Sequence, residues 1–364
     1  MRAGVFVQSY STTYDISLLV VNVWNRTTGI DPLLAKCFTA IESFSVDEIG
    51  KRGGFKWEPK LMRGEFEHIH VFRVQMVRFL LPYLARNPDH RAFLTLDLDD
   101  YESNLYHQMG SLHALRNDKP RAQMLKARAE RFEQLERQAM ALFHQVYVSN
   151  ACEGRTIQSI YNQQRVFVVP NAVRICPVPD VSKADGPVTL LFVGTLDYFP
   201  NEEGILWFYE SVLPVIRAKA TVGFRVLIVG SRPRALVREL DNSRDVVVRA
   251  DVPDVRIFYR ESHVCIAPIR AASGTRIKIL EAMSERLPVL TTTLGADGLE
   301  VEHGRELMIA DSVAEFADRC HELIHDSELR KKLAIAGFEW VKATHSVERV
   351  SEIIRGIRPA IDLT

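Results

Sequence analysis

Residues 268–283 read P-I-R-A-A-S-G-T-R-I-K-I-L-E-A-M, and they gather the groups most able to do chemistry. A short apolar run ends at Pro268, passes through Ser273-Gly274-Thr275 and opens a helix. Its first turn carries Arg276 and Lys278, and Glu281 follows one turn on. Cations at a helix N-terminus oppose the helix dipole by roughly 0.3–1 kcal/mol each. Local rules broken in this way tend to mark functional sites. An anion held at the N–H groups of Gly274, Thr275 and Arg276 would reverse the sign, which points to phosphate or diphosphate binding. The plainer alternative pairs Lys278 with Glu281 on the surface and leaves Ser273-Gly274-Thr275 as a helix cap; spacing alone allows both. Spacings of three and four predict that Ile277, Leu280, Met283 and Leu287 face a core.

Two further glycine loops follow apolar runs, at Gly194-Thr195 and Gly230-Ser231. Glycine lets backbone N–H groups approach a phosphate closely. One such glycine is ordinarily a turn, but three loops leaving strand ends toward one edge suggest a binding edge. Neither a P-loop nor a G-x-G-x-x-G stretch occurs, so ATPase and dinucleotide readings are weak. His70, near the end of an apolar strand, is a candidate catalytic or acceptor contact, although a lone strand histidine is more often a core residue. Asp97-Leu98-Asp99-Asp100 could clamp a divalent ion. A solvated strand end before a helix is the preferred reading, and no metal site is assigned. The five cysteines (37, 152, 176, 265 and 320) lack metal-ligand spacing and read as reduced, mostly buried thiols of a cytoplasmic protein.

The chain that must position these groups has 364 residues, enough for two domains. Its 46 basic and 46 acidic residues leave no global basic field for nucleic acid. No apolar run reaches the ~20 residues that cross a bilayer, and the start lacks a signal-peptide pattern. Residues 16–23 read as a buried strand, and 30–52 as a helix or two before Gly53-Gly54. Val5-Phe6-Val7 could be an earlier strand, but it stands too close to residue 16 for a parallel crossover. The first domain would then enter at its second strand. Strands at 68–72, 92–96, 146–148 and 166–169 alternate with helices at 74–84, 119–143 and 153–161. Residues 171–187, punctuated by prolines, read as a linker. Strands at 190–193, 225–229, 246–249, 264–267 and 289–291 then alternate with a second series of helices ending at 312–326 and 327–343. This pattern predicts two parallel-sheet α/β domains, with a ligand in a crevice at the carboxyl ends of their strands.

S-G-T-R-I-K-I-L-E-A-M, followed by L-P-V-L-T-T-T-L-G-A-D-G-L, resembles the nucleotide-sugar-binding segment of the GT-B glycosyltransferases of family 4, once called group 1. Within it, the chain is most similar to the branch reading G-T-R-x-K-x-L-E-A-M. F-V-G-T-L-D-Y-F-P-N and V-C-I-A-P-I-R extend the likeness over about residues 190–350. H-I-H-V-F-R, L-D-L-D-D-Y-E-S and V-V-P-N-A-V carry it back to His68. The resemblance implies a GT-B fold: two Rossmann-like domains facing a cleft, at 1–172 on the acceptor side and 173–345 on the donor side. A last segment, 346–364, would cross back to the first domain as a helix.

The resemblance also implies a metal-independent hexosyltransferase acting with retention and without a cofactor, in polysaccharide or glycoconjugate biosynthesis. Its partners would be a nucleotide-diphosphate sugar and a glycan, lipid-linked or small-molecule acceptor. Its place would be the cytoplasm, in peripheral contact with the inner face of the membrane. Glu281 would bond the ribose hydroxyls. Arg276 and Lys278, with the N–H groups of Gly274 and Thr275, would hold the diphosphate. Gly194, Thr195 and Gly230 would line the cavity, and residues 249–252 would meet the base. Two departures stand out. Ser273 occupies the place where many members carry a glutamate for the donor sugar, and the expected first strand and glycine-rich loop are not found before residue 16. A truncated, non-catalytic nucleotide-sugar binder and a sugar-nucleotide epimerase of GT-B-like fold are the alternatives.

Overall fold

The structure, a computed structural model, describes residues 2–22, 29–46, 59–163, 165–175 and 186–357. Two compact units divide the chain: residues 1–101, 130–172 and 348–364 form unit 1, and residues 102–129 and 173–347 form unit 2. The segment 102–129, read from sequence as part of the first domain, therefore clusters with unit 2. Of the presumed linker, residues 176–185 lie outside the described residues, as does Cys176.

Unit 1 opens on a helix, Arg2–Tyr10, which contains Val5-Phe6-Val7, the run that stands too close to residue 16 to be a strand of the parallel sheet. Its buried residues are Arg2, Val5, Phe6, Ser9 and Tyr10, which recur at the helical period. Two of the five are polar, and that hides the stripe from a hydrophobicity reading. β1 (Ile16–Asn22) is half-buried rather than sealed on both faces, and it pairs in parallel with β2 (Phe38–Ser45) in a separate two-stranded sheet. A short helix, Pro32–Ala35, and then β2 stand where helices were expected. Burial alternates along β2 with period two. Its inner row includes Glu42, whose carboxylate accepts the N–H groups of Lys60 (3.1 Å) and Leu61 (3.3 Å). The Gly53-Gly54 break lies outside the described residues.

The larger sheet of unit 1 is parallel, with β3 (His68–Phe72), β4 (Phe93–Asp97), β5 (Gln145–Val148) and β6 (Val166–Val168) side by side in that order. Leu94, Leu96, Val146 and Val148 centre its core together with Val77, Leu80 and Ile157 from the covering helices and Phe143 from the segment before β5. Asn150 caps the helix Ala151–Tyr161 by accepting the Glu153 N–H at 2.8 Å.

Unit 2 carries six parallel strands: β7 (Val188–Thr195), β8 (Phe224–Ser231), β9 (Val246–Ala250), β10 (Val264–Ala267), β11 (Val289–Thr291) and β12 (Met308–Ile309). Their order across the sheet is β12-β11-β10-β7-β8-β9. The chain starts at the centre with β7, builds outward to β9, then returns to lay β10 against the other side of β7. Doubly wound sheets bind ligands at this reversal, outside the carboxyl ends of the strands. Side chains of β7 alternate between two cores: Leu190 and Phe192 pack into one, Leu191 and Val193 into the other.

The helix Glu102–Leu115 braces the loop that follows β10. Gln108 Oε1 accepts the Ala272 N–H at 2.9 Å, Arg116 pairs with buried Glu203 at 3.2 Å, and His113 stacks on Phe199 at 4.5 Å. Among the described residues no helix is long and apolar enough to cross a membrane.

Candidate functional site

The carboxyl ends of β7, β8 and β10 bring the three glycine loops together within unit 2. Gly194 and Gly230 are register partners on β7 and β8. A Cβ on Gly230 would stand 1.8 Å from the Gly194 carbonyl oxygen, so close backbone approach is what demands glycine there. Gly230→Ala is expected to force the two strands apart at the site, at a cost of about 1–3 kcal/mol or more. Urea unfolding checks this; unchanged stability would refute the packing reading. Gly194 is crowded too, by side chains in its case. A Cβ there would lie 2.8 Å from Asn201 Nδ2 and 3.1 Å from Lys278 Nζ, so the glycine leaves room for both groups.

The loop from β10 is tied down along its length. Thr291 Oγ1 donates to the Ala267 carbonyl at 2.8 Å and Thr292 Oγ1 to the Ile269 carbonyl at 2.6 Å. Arg270 pairs with Glu203 at 2.6 Å. Gly274 adopts φ 66°, the left-handed region that favours glycine. Arg276, 7% exposed, is the N-cap of the helix Ile277–Ser284, without a side-chain cap bond. Ser273-Gly274-Thr275 is therefore not the cap that spacing allowed. The Arg276 guanidinium donates to the carbonyls of Gly274 and Leu294 and lies 3.9 Å from the Asp297 carboxylate. It clasps the loop, with its N-terminal helix amides beside it.

The same helix buries Ile279, Leu280, Ala282 and Met283, with Leu287 beyond it, but Ile277 is exposed, contrary to the expected core row. Lys278 and Glu281 are half-buried, and among the described residues no ion pair joins them. Lys278 Nζ donates to Asn201 Oδ1 at 2.6 Å and lies 4.4 Å from the centre of the Phe192 ring. Burial pulls the Lys278 amine down to about 8, against the opposing pull of the Glu281 carboxylate. Glu281 accepts the Tyr259 hydroxyl at 3.2 Å. Burial raises its carboxyl, while the Tyr259 bond and Lys278 act to lower it. Burial pushes the neighbouring Cys265 thiol up to about 12, so it stays neutral.

This arrangement sets an ammonium, a row of backbone amides and a carboxylate at the reversal between β7 and β10. It can neutralise a diphosphate and accept hydroxyl protons beside it. Residues 249–252 span the end of β9 and the turn after it, with the Asp251 N–H on the Gly230 carbonyl at 2.8 Å. Asn201 and Tyr259 were missed as individual site residues. Asn201 had a signal, standing in the first turn of a helix after a glycine loop. Buried Tyr259 had none.

His70 and the acidic run belong to unit 1. His70 occupies the middle of β3, not its end. Its Nδ1 shares Thr95 Oγ1 (2.8 Å) with His68 Nε2 (2.7 Å), and its ring packs among Phe6, Phe72 and Tyr147. Burial foremost, then His68 and Arg2, hold it well below the usual histidine range, so it is neutral. Asp97 is not a solvated strand end: it is fully buried and accepts Arg2 Nε at 2.8 Å and the Asp99 N–H at 3.0 Å. Arg73 pairs with Asp99 at 2.7 Å and Asp100 at 3.4 Å. Among the described residues, no group of three or more His, Cys, Asp or Glu is placed to hold a metal ion.

Two parallel α/β units of this kind define the GT-B fold. Residues 187–326 match the family model for Glycosyl transferases group 1. A Klebsiella pneumoniae protein described as an uncharacterized 44.6 kDa protein in the cps region is 23% identical over 169 residues, covering 44% of this chain and 43% of that protein. Sucrose-phosphate synthase from Thermosynechococcus elongatus superposes with a TM-score of 0.69 at 16% identity, over 96% of this chain and 90% of that one. Anabaena Alr3699/HepE in complex with UDP and glucose gives 0.65 at 14% identity, over 94% and 98%. The chain thus spans less than half of its curated relative, and 54% of the structural neighbour TarM (80% of this chain, TM-score 0.63, 12% identity). Together these neighbours show the GT-B fold, and the family match covers residues 187–326, less than half of the chain.

Proposed function

We propose that the chain binds a nucleotide-diphosphate sugar at the carboxyl edge of the unit 2 sheet and transfers the sugar, with retention, to a glycan or lipid-linked acceptor. The observation that carries this reading is Lys278: a half-buried ammonium held by Asn201 at the reversal between β7 and β10, one helical turn from Glu281. Charge develops on the diphosphate as the glycosidic bond breaks. A cation and amides already in place there stabilise the transition state more than the ground state. Glu281 takes the ribose hydroxyls. Lys278 and the N–H groups of Gly274 and Thr275 take the diphosphate, and Arg276 acts by holding their loop. Gly194, Thr195 and Gly230 line the edge, and Ser273 stands beside the transferred sugar. His70 has no role in this reading, and no metal or cofactor has one. The family match to group 1 and HepE's complex with UDP and glucose support it.

The test is a thermal-shift titration with UDP, GDP and ADP of the wild type and Glu281→Ala. A nucleotide at 100 times its Kd should stabilise the wild type by about 2.7 kcal/mol, and the variant should lose that gain. If no nucleotide stabilises the wild type, the donor-site reading fails. A nucleotide that binds then allows transfer to be sought with the corresponding sugar donors.

A further inference from the structure

We propose that Asn201 is the positioning residue of this site: its amide bridges the end of β7 to the Lys278 amine and fixes where the ammonium stands. The inference rests on the donor-site reading and adds to it a residue that touches neither sugar nor nucleotide. Asn201 Nδ2 donates to the Thr195 carbonyl at 3.0 Å, which leaves Oδ1 turned toward Lys278 Nζ at 2.6 Å. Gly194 makes the bridge possible, because any side chain there would meet the amide at 2.8 Å.

The groups that face the amine come from several elements. Phe192 on β7 offers a ring face, Cys265 on β10 a neutral thiol, and Glu281 on the same helix a carboxylate engaged by Tyr259 from the helix Arg256–Glu261. Asn201, from the helix Phe199–Trp207, is the hydrogen-bond acceptor. It therefore holds the amine at the strand end against the pull of Glu281, and it favours the protonated form that a diphosphate needs.

The experiment follows UDP binding by calorimetry from about pH 7 to 10, across the range in which a perturbed lysine titrates, in wild type, Asn201→Leu and Asn201→Asp. Wild-type affinity should fall as Lys278 loses its proton. Asn201→Leu removes the acceptor: affinity near neutral pH should drop about tenfold, the equivalent of one charge-assisted hydrogen bond, and the alkaline midpoint should move down. Asn201→Asp substitutes a carboxylate and should move the midpoint up by about 1 unit or more. A merely structural asparagine would weaken binding without moving either midpoint in opposite directions, and equal midpoints in all three proteins overturn the proposal.

Failure of the wild type to bind UDP, GDP or ADP overturns the donor-site reading instead. The Lys278 amine can then be followed directly by NMR in lysine-labelled wild type and Asn201→Asp, with Lys278→Arg to assign its signal. Equal midpoints there overturn the positioning role without any nucleotide. If Asn201→Leu does not fold, the Asn201→Asp arm decides.

Discussion

Replacing Lys278 with methionine is expected to abolish nucleotide-dependent stabilisation while making the empty fold more stable at neutral pH. Burial lowers the amine from 10.5 to about 8, so the charged form is disfavoured in the folded state. Between those two values the unfolded chain binds the proton that the folded chain has released, and stability rises with pH across that window. Below about pH 8 the full penalty is present. Methionine has a similar length and no charge, so it removes that penalty, less the contacts with Asn201 and Phe192. One pKa unit corresponds to about 1.4 kcal/mol; allowing for solvent screening of the half-buried side chain and the lost contacts, a net gain of about 1–2 kcal/mol at pH 7 is expected. The gain should shrink as pH rises toward 10. Urea unfolding across pH, paired with a nucleotide thermal shift, measures both halves. A variant that is less stable and still binds nucleotide would show that Lys278 is a packing residue.

Asp97→Ala should be the most damaging single change in unit 1. The carboxylate is fully buried, bonded to Arg2 at 2.9 and 2.8 Å and to the Asp99 N–H. Arg2 is itself 8% exposed and also donates to the Val169 carbonyl at 2.5 Å. Removing Asp97 leaves the buried guanidinium without its bonded carboxylate, with Asp99 standing 3.9 Å away, a loss of about 3–5 kcal/mol when one partner of a buried pair is deleted. Replacing both partners, Arg2→Met with Asp97→Leu, should recover much of that loss, because no charge is then stranded. Denaturant unfolding of the single and double variants measures the difference. A single variant within about 1 kcal/mol of wild type would mean that the pair is not held as described, since exposed pairs contribute no more than that. This network also explains why the acidic run is a poor metal candidate: its carboxylates already face arginines.

Much of the candidate site could be read in residues 268–283, for physical reasons that are local. A left-handed φ at Gly274 restricts its residue type, and the first amides of a helix lack intrahelical partners wherever it falls in the fold. The same holds for strands β7, β8 and β10, whose continuous apolar runs suit a sheet covered on both faces. The helix Arg2–Tyr10 and strand β2 escaped because polar residues occupy their inner rows: Arg2 and Ser9 in the first, Glu42 in the second. Their partners, Asp97 and the Lys60 and Leu61 amides, lie far away in sequence. Periodicity therefore saw no buried face.

The sequence by itself determined the parallel α/β class, the placing of the glycine loops after strands, and the spacing of a lysine and a carboxylate one helical turn apart. Tertiary structure decided what each group meets. It turned Arg276 onto the Leu294 carbonyl, put Asn201 under Lys278 and Tyr259 under Glu281, drew residues 102–129 into unit 2, and packed His70 among aromatic rings. The division has one cause. Backbone sterics and side-chain period act between neighbours and are written locally, whereas burial and hydrogen-bond partners depend on which distant surfaces the fold brings into contact.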